Sequence, residues 1–306
     1  MKRGIKSKAD KILVPLAYLI LALGGFVMLY PFIFSFMGSL LTKAEYLKIS
    51  VLPVPGGLSV SRFANLLKFF QGKNVWTSIG MTLLRTLFYA FVNIFFGVLG
   101  GYIFAKIHFR GRKAVFFYFL MSMMMPGVVT LLPSYIMFVR WPLFGGNDIF
   151  GQGGSGMIGH WFILLFPGWF GAYHFFLVRQ SIFDIGGEIG ESAEIDGAGN
   201  LRTVFTIYFP LLRPVVAVML IGLIIGHWND YLFPMTFMRA TDYPQIIPIG
   251  YTVFNIIAAA KGPTNSIPDY PAIFGICFTA MLPPIIVFLC LQKQFITGLT
   301  MGSVKG

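Results

Sequence analysis

The sequence predicts an all-α integral membrane protein with six transmembrane helices and both termini on the cytoplasmic side. Three observations carry this expectation. Of the 306 residues, 57% are hydrophobic and 11% charged, and the mean hydropathy is +0.77. An ordinary soluble domain is about 45–50% apolar and about 25% charged. The chain has too little polar surface to coat a water-soluble globule, which excludes a soluble enzyme, a disordered chain and a disulfide scaffold. The apolar residues fall in six long continuous runs; a transmembrane β-barrel would need alternation instead. Finally, 14 of the 23 Lys and Arg residues gather on alternate connections, as the positive-inside bias requires. The net charge of +12 therefore marks orientation, and a nucleic-acid partner is not expected.

A helix needs about 20 mostly apolar residues to cross a hydrocarbon core of about 30 Å. The first run, 12–41, is too long for the apolar region of a signal peptide and no small-residue cleavage site follows it. It reads as a span behind a leader carrying Lys2, Arg3, Lys6, Lys8 and Lys11. The second span is 76–105, closed on the inner side by Lys106, Arg110, Arg112 and Lys113. The third, 114–139, is interrupted by Pro126-Gly127 and Pro133. The fourth is 157–180, the fifth 211–236, and the sixth 271–291 with Pro283-Pro284 at its middle. Backbone groups freed by these prolines need neighbouring helices or a wet cavity; a packing kink and a moving gate both satisfy that. Gly97-x3-Gly101 and Gly222-x3-Gly226 would let helix backbones approach closely. The outer loops 42–75 and 237–270 have room for short surface helices. Residues 1–75 form a leader, first helix and first outer loop. Residues 76–306 form a core that includes a cytoplasmic loop at 184–210 and a tail at 293–306. Cys277 and Cys290 share one apolar run, too far apart to pair along a single helix, and read as packing residues.

The acidic residues are placed unevenly. Of 11 in the chain, five are Asp184, Glu188, Glu191, Glu194 and Asp196. Gly186-Gly187 ends the preceding span. Residues 188–196 suit a short helix with Glu191 and Ile195 on one face, and Gly197 suits its left-handed C-terminal position. A second helical stretch from about 200 leads to Pro210. The bland alternative is a solvated connection kept in water by its carboxylates.

The order of residues points further. Glu191-Ser192-Ala193, three residues, Gly197, nine residues, Ile207, Tyr208 and Phe209-Pro210 resemble the cytoplasmic signature of binding-protein-dependent ABC importer permeases. Ser192 stands in for Ala and Phe209 for Leu. The tail LQKQFITGLTMGSVKG and the run Trp228-Asn229-Asp230-Tyr231 are similar to those of the maltose-type sugar permeases. The resemblance covers the chain from about residue 75. It implies a type I importer permease fold in a bacterial or archaeal cytoplasmic membrane. It also implies partners: a second homologous permease, two ATPase subunits holding ATP and Mg, an extracytoplasmic sugar-binding protein, and membrane lipid. ATPase coupling would fall to Glu188, Glu191, Ser192, Ala193, Asp196, Gly197, Ile207 and Pro210, with small Ser192 and Ala193 permitting close approach. In the tail, Phe295, Gly298, Leu299 and Lys305 would reach the ATPase; ordinary terminal disorder is the alternative. A permease for another solute, and a membrane-embedded transferase, are the competing functions.

No catalytic or metal site is expected in this chain. It has no phosphate loop ending in Gly-Lys-Ser/Thr and no zinc-type His/Cys spacing. The Gly-rich stretch 145–156 reads as a flexible outer loop, and His108, His160, His174 and His227 as packing or interfacial residues. Two charges lie at membrane depth, where each costs about 2.5–3.5 kcal/mol. At about 1.5 Å per residue, Arg85 is roughly 13 Å and Asp230 roughly 9 Å inside the outer ends of their spans. Opposite sign at similar depth suggests an ion pair or a shared wet cavity; snorkelling is the alternative for Arg85. Trp228 and Tyr231 could stack on a sugar, with Asn229 and Asp230 bonding its hydroxyls. Asn93 is a further pathway candidate.

Overall fold

The computed structural model describes residues 10–48, 53–54, 56, 60–166, 168–238, 247–260 and 269–301, and among these the secondary structure is helical with no strand. In chain order the elements are α1 (Asp10–Ser39), α2 (Lys43–Tyr46), α3 (Val60–Gly72), α4 (Val75–Lys106), α5 (Arg112–Met123), α6 (Gly127–Val139), a 3-10 turn (Trp161–Leu164), α7 (Ala172–Ile185), α8 (Glu188–Ile195), α9 (Asn200–Arg202), a π turn (Thr203–Tyr208), α10 (Phe209–Leu211), α11 (Arg213–Asn229), α12 (Leu232–Phe237), α13 (Ile249–Ala260) and α14 (Tyr270–Met301). Among the described residues, three helices are long and apolar enough to cross a membrane: Lys11–Ser39, Val75–Lys106 and Tyr270–Lys293. Two bent pairs, α5 with α6 at 103° and Asn200–Leu211 with α11 at 80°, raise the number to as many as five if each pair is one span.

The prolines act selectively. Pro126, extended at ψ 131, ends one helix and starts the next; Pro133 and Pro283-Pro284 lie inside helices that run through them. The expected helix over 157–180 does not form along its length. Gly156, Gly159 and Gly168 take φ of +57°, +85° and +84°, a region an L-residue helix cannot use. The α-helix starts only at Ala172 and runs on to Ile185. The fifth span is also divided. Pro234 lacks an N–H and its ring would clash with the carbonyl four residues earlier, that of Asp230, so α11 stops at Asn229 and α12 follows.

The chain packs as two units, Met1–Lys73 with Ile256–Met281, and Asn74–Asn255 with Leu282–Gly306. In the first, the C-terminal end of α1 lies on the start of α14. Phe34 meets Phe274 edge-on at 5.3 Å, Phe36 meets Phe278 at 5.0 Å, and Tyr46 stacks on Tyr270 at 4.9 Å. The rest of α1 exposes Leu, Ile, Phe and Val side chains, the surface expected of a helix in lipid.

In the second unit α4 is the central rod, with α7 and α11 against it. Glycine makes this possible. A β-carbon on Gly101 would lie 2.5 Å from Val178 Cβ, one on Gly100 2.7 Å from the Phe175 ring, and one on Gly97 2.9 Å from Met219 Cε. Gly222 and Gly226 behave oppositely, with nothing within 4 Å of their missing β-carbons. An inner core of Val98, Tyr102, Ala105, Val178, Ile182, Val204, Tyr208, Leu212 and Met219 joins α4, α7, the π turn and α11.

The stretch 140–160 is folded tightly, contrary to the flexible loop expected from its glycines. Buried Asn147 donates to the Val139 and Trp141 carbonyls at 2.7 and 3.0 Å and accepts from Gly154 N at 2.8 Å. β-Carbons on Gly145, Gly151, Gly154 and Gly156 would come within 2.0–2.2 Å of backbone oxygens. Backbone packs on backbone here, and only glycine fits. In α13, likewise, the N-terminal part is not a surface helix. Ile249 is buried and its N–H donates to Thr82 Oγ1 at 2.7 Å, while Thr252 and Ser78 share a hydroxyl bond of 2.7 Å.

Candidate functional site

Two places combine the expected residues with a surface on which they can act: the acidic loop at one end of α4, and a groove along α11.

The loop folds as its glycines direct. Gly186 at φ +94° ends α7 and α8 follows at Glu188. Gly197 takes φ +74°, donating to Glu194 O at 3.0 Å, and Ala198 N donates to Ala193 O at 2.9 Å. This pair of bonds is the Schellman ending that a C-terminal glycine permits. Glu188, Glu191, Ser192, Glu194, Ile195, Asp196 and Gly197 are exposed. Ile195 is 86% exposed and Leu201 68%, so the free face carries carboxylates together with two large apolar side chains. Ser192 Oγ donates back to Glu188 O at 2.8 Å. One expectation is corrected: Ala193 is 4% exposed and turned toward the body of the unit. Its smallness, like that of Gly190, seats α8 on its own chain. Ile207 is half-buried in the π turn and Pro210 is exposed in α10.

The structure joins the two charges that the sequence places within apolar runs, one buried and one half-buried. Arg85 Nη2 donates to Asp230 Oδ2 at 2.6 Å, and Arg85 Nε donates to Leu164 O at 3.2 Å. Asp230 Oδ1 accepts from Phe233 N at 3.1 Å and so starts α12. The Arg85 side chain is 2% exposed and that of Asp230 23%. The guanidinium also lies 5.6 Å from the Tyr89 ring and 5.8 Å from the Phe233 ring. One aspartate therefore neutralises a buried cation and bridges the break between two helices.

Asp230 also faces a groove of about 820 Å3, lined by α11 residues including Met219, Gly222, Gly226 and Asn229, and by Tyr173 and His174 of α7. Asn229 is exposed there. Other pathway candidates lie elsewhere. Trp228 is buried at 3% exposure and does not line the groove, so it cannot stack on a solute there. Asn93 is buried and donates to the carbonyls of Tyr89 and Gly168 at 3.1 and 3.0 Å; it fastens the loop before α7. Tyr231 stacks on Phe254 at 5.6 Å. Sequence reasoning missed His174 and His227, which both border the groove; His227 also stacks on Tyr89 at 4.1 Å. Helical spacing contained the signal, because His227 is three residues before Asp230 and so shares its face. In the tail, Phe295, Gly298 and Leu299 lie within the helical backbone of α14, and Lys305 lies outside the described residues.

Comparison with known proteins decides the family. Residues 97–300 match the model of the binding-protein-dependent transport system inner membrane component. The chain belongs to this family. It is a multi-pass inner membrane subunit of an ABC importer. It is not an enzyme, and ATP is hydrolysed on a separate subunit. Membership also implies a solute-binding protein as partner. The chain is 29% identical over 307 residues to the melibiose/raffinose/stachyose import permease MelC of Bacillus subtilis, covering 99% of this chain and 100% of that one. It is 28% identical to the arabinooligosaccharide permease AraQ of the same organism over 91% of each chain. It is 30% identical to the sn-glycerol-3-phosphate permease UgpE of Brucella melitensis, over 93% of this chain and 95% of that one. The fold resembles that of a bacterial ABC transporter involved in alginate import, with a TM-score of 0.76, 24% identity and coverage of 95% and 99%.

Proposed function

We propose that this permease subunit forms half of the path for an oligosaccharide, driven by ATP and supplied by a sugar-binding protein. The observation that carries the reading is the groove. Its volume, about 820 Å3, lies in the range of roughly 300–1,000 Å3 typical of small-molecule sites. It is mainly apolar, with Asn229, Asp230, His174 and His227 among its lining residues. Apolar walls suit sugar ring faces, and a few polar groups suit hydroxyls. The full-length relatives named for melibiose, raffinose and arabinooligosaccharides support the same solute class. In this reading Asn229 and Asp230 touch the solute, and Arg85 acts by holding Asp230.

The complete importer would contain a second homologous permease and two ATPase subunits carrying ATP and Mg. In this reading the chain crosses the membrane six times with both termini inside, the 161–185 stretch providing the fourth crossing. The exposed face of α8, with Glu188, Glu191, Ser192, Asp196 and Gly197, receives the ATPase, and Ile207 and Pro210 shape the following turn. The tail with Phe295, Gly298, Leu299 and Lys305 reaches the ATPase pair. A ligand-induced thermal shift of the partner binding protein across a carbohydrate panel tests the solute class; oligosaccharides are expected to raise its melting temperature. A second reading, a polyol phosphate, has support from the 30%-identical UgpE relative. A shift with sn-glycerol 3-phosphate alone would replace the first reading by the second.

A further inference from the structure

Beneath α8 the chain builds a seat from Gly190, Lys106 and Tyr102, outside the family's signature, and from Tyr208, which fills a variable position within it. Gly190, on the inner face of α8, has no side chain. A β-carbon there would lie 2.8 Å from Tyr208 Oη and 3.4 Å from Lys106 Nζ, so the helix backbone rests on the ends of two long side chains. Tyr208 cannot yield: its ring is fully buried in the inner core, and its hydroxyl has no hydrogen-bond partner among the described residues.

The seat grips α8 on both flanks. Before the helix, Lys106 Nζ reaches Gly186 O at 3.5 Å. After it, Tyr102 Oη donates to Asn200 Oδ1 at 3.2 Å. Tyr102 and Lys106 are four residues apart and share one face of α4. Tyr208 packs between them, with its ring 5.6 Å from Tyr102 and the Lys106 ammonium 5.8 Å from its centre. Tyr208 ends the π turn, a feature that often marks functional positions in helices. The same helix carries Arg85 at its other end. The 21 residues between Arg85 and Lys106 span about 31 Å of helix, inside the unbroken α4.

We propose that Tyr208, Lys106 and Tyr102 are positioning residues that convert movement of α8 into movement of α4 as a rigid rod, and so of the Arg85–Asp230 pair at the groove. This rests on α8 being the ATPase contact. Rods with two arrangements are the kind of element that can couple distant sites.

The test uses the complete importer in proteoliposomes, measuring solute uptake, ATP hydrolysis and co-purification of the ATPase. Gly190→Ala strengthens the helix itself but drives α8 off its seat. Uptake per ATP hydrolysed is expected to fall about tenfold, within the usual range for coupling between sites, with the ATPase still co-purifying. Adding Tyr208→Phe removes the obstructing oxygen and should restore the ratio. Tyr102→Phe, which deletes only the outer tie, should give a smaller loss in the same direction. An unchanged ratio in both Gly190→Ala and Tyr102→Phe overturns the inference. So does a Gly190→Ala loss that Tyr208→Phe does not relieve. The separate control is Ile195→Asp on the free face of α8. If that variant keeps its ATPase and its uptake, the ATPase-contact reading fails and takes the inference with it.

Discussion

Removing the carboxylate of Asp230 should damage the protein more than any other single change at the groove. Asp230→Ala leaves Arg85, 2% exposed, with its hydrogen bond of 3.2 Å to the Leu164 carbonyl and a buried Nη1 that already lacks a partner among the described residues. Breaking a buried ion pair by deleting one member costs about 3–5 kcal/mol. The Asp230 side chain is 23% exposed, so water can partly replace it and the low end of that range applies. Losing the Oδ1 bond to Phe233 N, which starts α12, adds about 1 kcal/mol by analogy with a helix cap. The sum is about 4 kcal/mol. Asp230→Asn keeps an acceptor for Phe233 N and should cost about 1 kcal/mol less than the alanine variant. Arg85→Ala leaves a carboxylate that the groove can hydrate, so in the Arg85→Ala/Asp230→Ala cycle the coupling should be about 2–3 kcal/mol. The assay is denaturant unfolding of the purified subunit in mixed micelles, with uptake measured in parallel. Single-variant losses that add to within about 0.5 kcal/mol would refute the pairing as an energetic unit.

The two glycine pairs should separate cleanly. Gly101→Ala forces its β-carbon against Val178 at 2.5 Å and should destabilise by about 1–3 kcal/mol, whereas Gly222→Ala, open to the groove, should stay within about 0.5 kcal/mol of the parent in the same unfolding assay. In the outer stretch, Gly154→Ala places a β-carbon 2.1 Å from Gly145 O. It should expose 140–160 to an external protease that leaves the parent uncut. On α8, Ile195→Asp charges a side chain that is 86% exposed. Co-purification of the ATPase should fall about tenfold, as for loss of an interface anchor of about 1–2 kcal/mol, while membrane insertion of the chain itself, read on a blot, stays normal.

Much of the site was legible in the sequence because its signals are local or extreme. Gly186-Gly187 and Gly197 punctuate α8 wherever the rest of the chain lies. Arg85 and Asp230 are conspicuous because hydrocarbon tolerates so few charges, and their similar depths pointed to each other. What escaped depends on tertiary neighbours. Nothing in the sequence distinguishes Gly97-x3-Gly101, with no clearance against α7 and α11, from Gly222-x3-Gly226, which faces open space. Ala193 and Ser192 look equivalent, yet one points inward and the other outward. The helix expected over 157–180 did not form along its length because its hydropathy stays high through glycines whose positive φ interrupts it. The glycines of 145–156 suggested slack, where the chain instead closes on its own backbone.

Helix α4 has 32 residues and is therefore about 48 Å long, against a hydrocarbon thickness of about 30 Å. A helix that much too long must tilt or project. Its Lys106 end carries a residue type that settles at the headgroup boundary. A tilt imposed by bilayer thickness would change the angle at which α8 is presented. An importer built this way should work differently in bilayers of different acyl-chain length, even with every protein contact unchanged.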